Sequence, residues 1–215
     1  MEISQISGAV KGASTLYESL SKSYKRIRVR RVEKFFECVD LRMEHATQED
    51  VNELIQTINS PEGEEVLASF ADSITTTSCE RVLMALAMLY CKDLDFAFNE
   101  SELYTFISAM EGMDNDLLDF FLLVSDIPST SANYAYPRSA ISKQDYIGYF
   151  GARWDEEAVF VYINDLQRLR LILPDPCTTY TIPGNSDSWT LWFGITARTL
   201  KMARLIKKAE YYLNI

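Results

Sequence analysis

From Ile3 to Ile27 the apolar positions Ile3, Ile6, Val10, Ala13, Tyr17, Leu20, Tyr24 and Ile27 follow one another in alternating steps of three and four. That spacing holds one seam on a single helix face. The opposite face is rich in serine and nearly uncharged, so flanking ion pairs select a partner only weakly. Gly12 lowers helix stability by about 1 kcal/mol relative to alanine. A helix of this kind cannot bury its stripe alone. It docks on its own domain, pairs with a second copy, or lies on a membrane surface. The last fits worst, because the polar face lacks the Lys and Arg that anionic lipid attracts. The basic run Lys25-Arg26-Ile27-Arg28-Val29-Arg30-Arg31 follows, and a shifted stripe of Val32, Phe36, Val39 and Met43 continues the pattern.

Helix starts then come in close order. Thr47 precedes Gln48-Glu49-Asp50, a hydroxyl cap before first-turn acids that complement the helix dipole. Ser60-Pro61 puts proline at the first helical position. Thr77 or Ser78 opens an apolar helix over 82–91. Asn99 with Glu102 makes a capping box. Asp114 starts the very apolar run 117–124. Repeated caps and short connectors predict a mainly α fold, with a helical bundle over 1–127. Pro128-Ser129-Thr130-Ser131 and Tyr134-Ala135-Tyr136-Pro137 mark 128–140 as a linker, or a loop docked by its tyrosines.

The segment 141–215 carries a different layout. Ser142-Lys143-Gln144-Asp145 caps a short helix stopping at Gly151, and 155–172 reads as a second helix. The Pro-flanked turn Leu173-Pro174-Asp175-Pro176 follows. Two alternating runs, Tyr180 and Ile182, then Trp189, Leu191 and Phe193, flank a tip at Gly184-Asn185-Ser186-Asp187 and form a small β-hairpin. A basic helix from Thr196 ends the chain. This order is that of a winged-helix-like domain, whose second helix usually presents its first turn to DNA bases. Here that turn carries Asp155, Glu156 and Glu157, and the tip lacks Lys and Arg. The next turn, Val159-Phe160-Val161-Tyr162-Ile163, is apolar all round, which points to burial or a protein interface. Arg198, Lys201, Arg204, Lys207 and Lys208 give the last helix one basic face.

Leu166-Gln167-Arg168-Leu169-Arg170-Leu171-Ile172, with the return at Ile195-Thr196, resembles uncharacterised bacterial and prophage proteins of the abortive-infection type, which join a helical region to a C-terminal winged helix. The resemblance covers about 60 residues and implies a cytosolic role in phage or mobile-element conflict. It supplies no catalytic residues.

Charge sharpens the picture. The chain of 215 residues carries a net −10. Residues 1–42 hold nine Lys/Arg against five Asp/Glu, a net +4; 43–127 hold two against eighteen, a net −16; 128–215 hold ten against eight, a net +2. The acidic middle repels phosphate and suits a basic partner or the chain's own basic arms. The candidate surface for nucleic acid or an acidic partner is Arg26, Arg28, Arg30 and Arg31 with Arg198, Lys201, Arg204 and Lys208. The candidate self-association seam is Ile3, Ile6, Val10, Tyr17, Leu20, Tyr24 and Ile27.

No apolar run nears the roughly 18–20 residues that span a bilayer, and no signal-peptide core opens the chain. A cytoplasmic protein is expected. Cys38, Cys79, Cys91 and Cys177 are widely spaced with no C-x-x-C pair, and His45 is the only histidine, so the cysteines read as buried thiols. No phosphate-binding glycine loop, nucleophile elbow or H-E-x-x-H occurs. Asp114-Asn115-Asp116 with Asp119 lacks the remainder of a calcium loop and reads as a helix cap. Asp93, Asp95, Glu100 and Glu102 are a generic acidic set. The expectation is a non-catalytic interaction or regulatory protein without cofactor or metal, partnered by protein, including itself, with no specific DNA. The alternatives are a DNA-binding transcriptional regulator and a metal-dependent enzyme.

Overall fold

The computed structural model describes residues 3–44, 47, 52, 55–56, 61–91, 96–129, 134–177 and 189–214, without the side chains of 3–20, 61–67 and 69. The chain is mainly helical, with a small three-stranded antiparallel sheet. The helices are α1 (Ile3–Met43), α2 (Pro61–Thr76), α3 (Glu80–Tyr90), α4 (Glu100–Met110), α5 (Asn115–Ser125), α6 (Tyr146–Phe150), α7 (Glu156–Arg168) and α8 (Ala197–Leu213). The strands are β1 (Arg138–Ser142), β2 (Leu173–Pro174) and β3 (Thr190–Gly194).

α3 is the axis. Val82, Leu83, Met84, Ala85, Leu86, Ala87 and Met88 are all buried, so every face of its middle is covered. A helix apolar all round can exist in water only inside such a sheath. α1 and α2 cover it from the N-terminal side and α8 from the far end of the chain. α8 also packs on α5, and α5 touches α6 and α7. The buried side chains accordingly form one cluster running from Phe35 to Ala209.

The caps are local and mostly where the sequence puts them. Asn99 and Glu102 exchange both bonds of the capping box, and Asp114 accepts from Leu117 N–H at 2.8 Å. Asp155 accepts from Ala158 N–H at 2.8 Å, and Thr196 forms a capping box with Thr199. α2 begins at Pro61 as expected. The helix opened by Thr47 falls largely outside the described residues.

Several boundaries differ from the sequence reading. α3 starts after Cys79, whose side chain makes no cap. Thr77 instead accepts Cys79 N–H at 3.2 Å and donates to Met113 O at 3.1 Å, so its hydroxyl serves the loop and the neighbouring chain. Ser142 closes β1 and does not cap α6; its own N–H donates to the Asp145 carboxylate at 2.6 Å. α6 does stop at Gly151, which takes the positive φ of 66° that glycine tolerates.

α7 ends at Arg168, short of Ile172. Leu171 N–H donates to Leu166 O and Arg170 N–H to Gln167 O, both at 3.0 Å, a Schellman closure with Arg170 at φ 59°. In the shifted stripe of α1, Val39 is buried and Val32 and Met43 pack against the core, and Phe36 alone departs from it. Phe35, Cys38 and Val39 are buried, while Phe36 is exposed and edges onto Phe35.

Among the described residues the sheet order is β1-β3-β2, and β3 falls on the second run of the expected hairpin. β1 includes 138–140, the end of the segment read as a linker, and pairs with β3 from Arg138↔Gly194 to Ser142↔Thr190. Leu173-Pro174, read as a turn, pairs with Gly194 and Phe193 as β2. Proline is tolerated there because an edge strand has a side that needs no donor. Tyr180, Ile182 and the expected wing tip lie outside the described residues. Tyr136 docks as one of the two readings of its loop anticipated. Its O–H donates to Pro174 O at 2.8 Å, and its ring fills the space that a Cβ at Gly194 would need.

Leu86→Ala should cost about 2–5 kcal/mol. All three tryptophans, Trp154, Trp189 and Trp192, lie in the C-terminal part. A urea titration followed by both helical circular dichroism and tryptophan fluorescence should therefore show one coincident shift. If only the circular dichroism midpoint moves, α8 does not couple the two parts.

Candidate interaction surfaces

α1 is one continuous helix of 41 residues. Of the seam residues whose side chains are described, Tyr24 is 59% exposed and Ile27 50%. Val29 is exposed as well, while Phe35, Cys38 and Val39, further along α1, enter the core. The side chains of Ile3, Ile6, Val10, Tyr17 and Leu20 lie outside the described set. Tyr24 and Ile27 are thus apolar positions left facing water by their own chain.

The basic run beside them is split in its role. Arg31 donates to Thr75 O at 2.6 Å and Thr76 O at 2.8 Å, and Arg28 donates to the Thr75 hydroxyl at 3.1 Å. Both cations therefore satisfy carbonyls and polar groups at the C-terminal end of α2, where the helix dipole favours positive charge. Arg26 and Arg30 remain exposed.

The basic face of α8 meets the acidic middle in the same way. Lys201 donates to Glu102 and to Ala97 O, each at 2.7 Å, and its ammonium sits 4.8 Å from the Phe98 ring centre. Lys207 pairs with Asp126 at 2.7 Å. Lys208 lies over the Phe96 ring at 5.4 Å. Arg204 is exposed and Arg198 half-buried. The hydrogen bond from Lys201 holds the Glu102 carboxyl below its ordinary value against the opposing push of burial.

A charge ladder that the sequence reading missed joins the acidic turn of α5 to its surroundings. Arg153 bridges Asp116 and Asp119, the latter at 2.7 Å, and Arg81 pairs with Asp119 at 2.6 Å and with Glu210 at 3.7 Å. Burial pushes the Asp119 carboxyl up, but Arg153 and Arg81 outweigh it and hold the group below the carboxylate range. The paired residues lie 34 to 129 positions apart in sequence, so no local pattern announces them. Only the isolation of Arg81 within the acidic segment hints at its use.

The first turn of α7 is likewise occupied. Glu156 accepts from the Trp189 indole at 2.9 Å and lies 3.7 Å from Lys143. Glu157 is exposed. The apolar turn after it is covered on two sides: Phe160 edges onto Trp189 at 5.0 Å, and Tyr162 packs on Phe120 of α5 at 5.2 Å. Ile163, Leu166 and Phe193 are buried, whereas Val161 stays 49% exposed. The helix face carrying Glu157, Val161, Asn164 and Arg168 is open to solvent.

Cys38 and Cys79 are buried thiols, and burial pushes Cys38 up to about 11. Cys91 and Cys177 are half-buried. His45, Asp93 and Asp95 lie outside the described residues. Among the described residues no group of three His, Cys, Asp or Glu is placed to hold a metal ion, and no helix is long and apolar enough to cross a membrane. Comparison of the chain with known protein families, with curated proteins and with solved structures finds no match.

Glu102 and Asp119 both have lowered folded values, so their stabilisation is fully present above the ordinary carboxylate value of about 4. It is lost as pH falls through the lowered values. Asp119→Asn should be less stable near neutrality and lose less on acidification, so its melting-temperature profile against pH should be flatter than that of the parent. Parallel profiles would show that the ladder contributes nothing to acid sensitivity.

Proposed function

We propose that this is a non-catalytic interaction protein that pairs with a second copy through the α1 seam and uses a winged-helix C-terminal unit for protein contact. The observation that carries the reading is the exposure of Tyr24 and Ile27 on the seam of a single long helix. A three-four alternation continued over 3–27 is self-complementary, and two copies side by side would remove the seam from water on both.

The winged-helix part is supported by element order. α5, β1, α6, α7, β2 and β3 succeed one another with β3 central in the sheet, as in that fold. Recognition of DNA through α7 is disfavoured by its first turn, where Glu156 and Glu157 stand at the end that would meet phosphate and bases. The cationic candidates Arg28, Arg31 and Lys201 are already engaged with the chain's own carbonyls and carboxylates. The resemblance of 166–172 to abortive-infection-type proteins extends the proposal to a role in phage or mobile-element conflict.

Light scattering should give a dimer for the parent and a monomer with unchanged helix content for Tyr24→Asp/Ile27→Asp. A monomeric parent would sink the pairing, leaving the seam to another protein. Duplex DNA should bind only weakly, with the signal disappearing between about 50 and 200 mM salt, as counterion release requires. A sequence-specific complex that persists at the upper end would instead make the chain a DNA-binding regulator.

A further inference from the structure

A cleft of about 530 Å³ lies between α4 and the C-terminal end of α7, lined by Ser101, Tyr104, Thr105, Ser108, Arg168, Leu169 and Arg170. Its size is that of an ordinary small-molecule pocket. The only charged groups in the lining are two guanidinium groups, although the chain carries a net −10. Opposite them, Ser101, Thr105 and Ser108 recur at helical spacing on one face of α4; the Thr105 hydroxyl donates to Ser101 O at 2.7 Å, so the two serines carry the hydroxyls that can turn to the cleft.

Arg170 is the informative residue. It occupies the position just past the helix end in the Schellman closure of α7, with φ 59°. Glycine adopts that conformation without steric cost and is the usual occupant. An arginine there brings backbone strain that glycine would not. Among the described residues Arg170 makes no ion pair, whereas Arg168 has one partner, Asp165 at 3.0 Å, which leaves most of its donor edge unused. Tyr104, 54% exposed, adds a ring at the cleft wall.

We infer that this cleft binds a phosphate-bearing small molecule, with Arg170 and Arg168 taking the phosphate and the Ser101 and Ser108 hydroxyls of α4 completing its hydrogen bonds. Paired arginines match phosphate oxygens with forked donors, and serine hydroxyls add directional ones. The inference does not depend on the pairing of α1.

The test is calorimetric titration of the full chain with inorganic pyrophosphate and, separately, with adenosine monophosphate. Saturable one-to-one binding of either probe is expected. Tighter binding of the nucleotide would place its base on Tyr104, and tighter binding of pyrophosphate would confine recognition to the phosphates; both support the site. Arg170→Gly should weaken binding at least tenfold while melting no lower than the parent, because glycine relieves the backbone. Lys22→Ala, an exposed charge elsewhere, should bind as the parent does. Absence of binding by both probes at millimolar concentration, undiminished binding in Arg170→Gly, or an equal loss in Lys22→Ala would each overturn the inference.

Discussion

The burial of α3 is the constraint on which the rest of this structure depends. Its middle turns offer no polar face to water, so the helix must be enclosed, and α1, α2 and α8 are the elements that enclose it. Ala85 and Ala87 leave room for neighbouring helices to come close. Because one wall of the sheath is α8, the C-terminal residues are drawn into the same core as the N-terminal helices. α5 extends that core toward α6 and α7 through Phe120, which stacks on Phe150 at 4.6 Å and meets Trp154 and Tyr162. At the start of β3, Trp189 packs on Phe160 of α7 and Tyr146 of α6, and Tyr136 closes over Gly194 at its end.

Charge follows the same geometry. The acidic middle contributes its carboxylates at helix starts and turns, and the basic flanks reach them from α1, from the approach to α7, and from α8. Exposed ion pairs are individually weak, so these contacts fix where the flanks lie more than they hold the chain together. The exception is the ladder at Asp119, whose carboxylate is shared by two arginines and partly withdrawn from water. Arg28, Arg31, Lys201 and Lys207 are engaged with the chain's own carbonyls and carboxylates, while Arg26, Arg30 and Arg204 stay exposed.

Three outward features bear on contact: the Tyr24 and Ile27 edge of α1, Val161 among the polar residues of its α7 face, and a cleft whose arginine sits where glycine would be easier. The first is apolar and suits protein contact. The third is polar and concave and suits a small anion. A chain that associates through its long helix while holding a ligand at the far end of α7 would have two separate ways of sensing its surroundings, and the stability behaviour of Arg170→Gly separates the second from the first.

Local chemistry was legible in the sequence. Asn99, Asp114, Asp155 and Thr196 announce their helices because a cap needs only the three following residues, and the apolar run of α3 announces its own burial. The heptad steps gave α1 as a helix for the same reason. What the sequence could not determine was anything that depends on residues distant in the chain. β1 hid in an apparent linker because a strand on a small sheet is stabilised by its pairing with β3, and Leu173-Pro174 looked like a turn because its partner is twenty residues away. Phe35 replaced Phe36 in the core because the side from which α3 approaches sets which face of α1 is inward. The basic face of α8 looked free until Glu102 and Asp126 were placed against it. Arg168 and Arg170 passed for a solvated helix end, since only the folding of α4 across them makes a cleft. Periodicity and capping act within a turn or two of chain; registry, charge partners and concavity exist only once separate segments share a space.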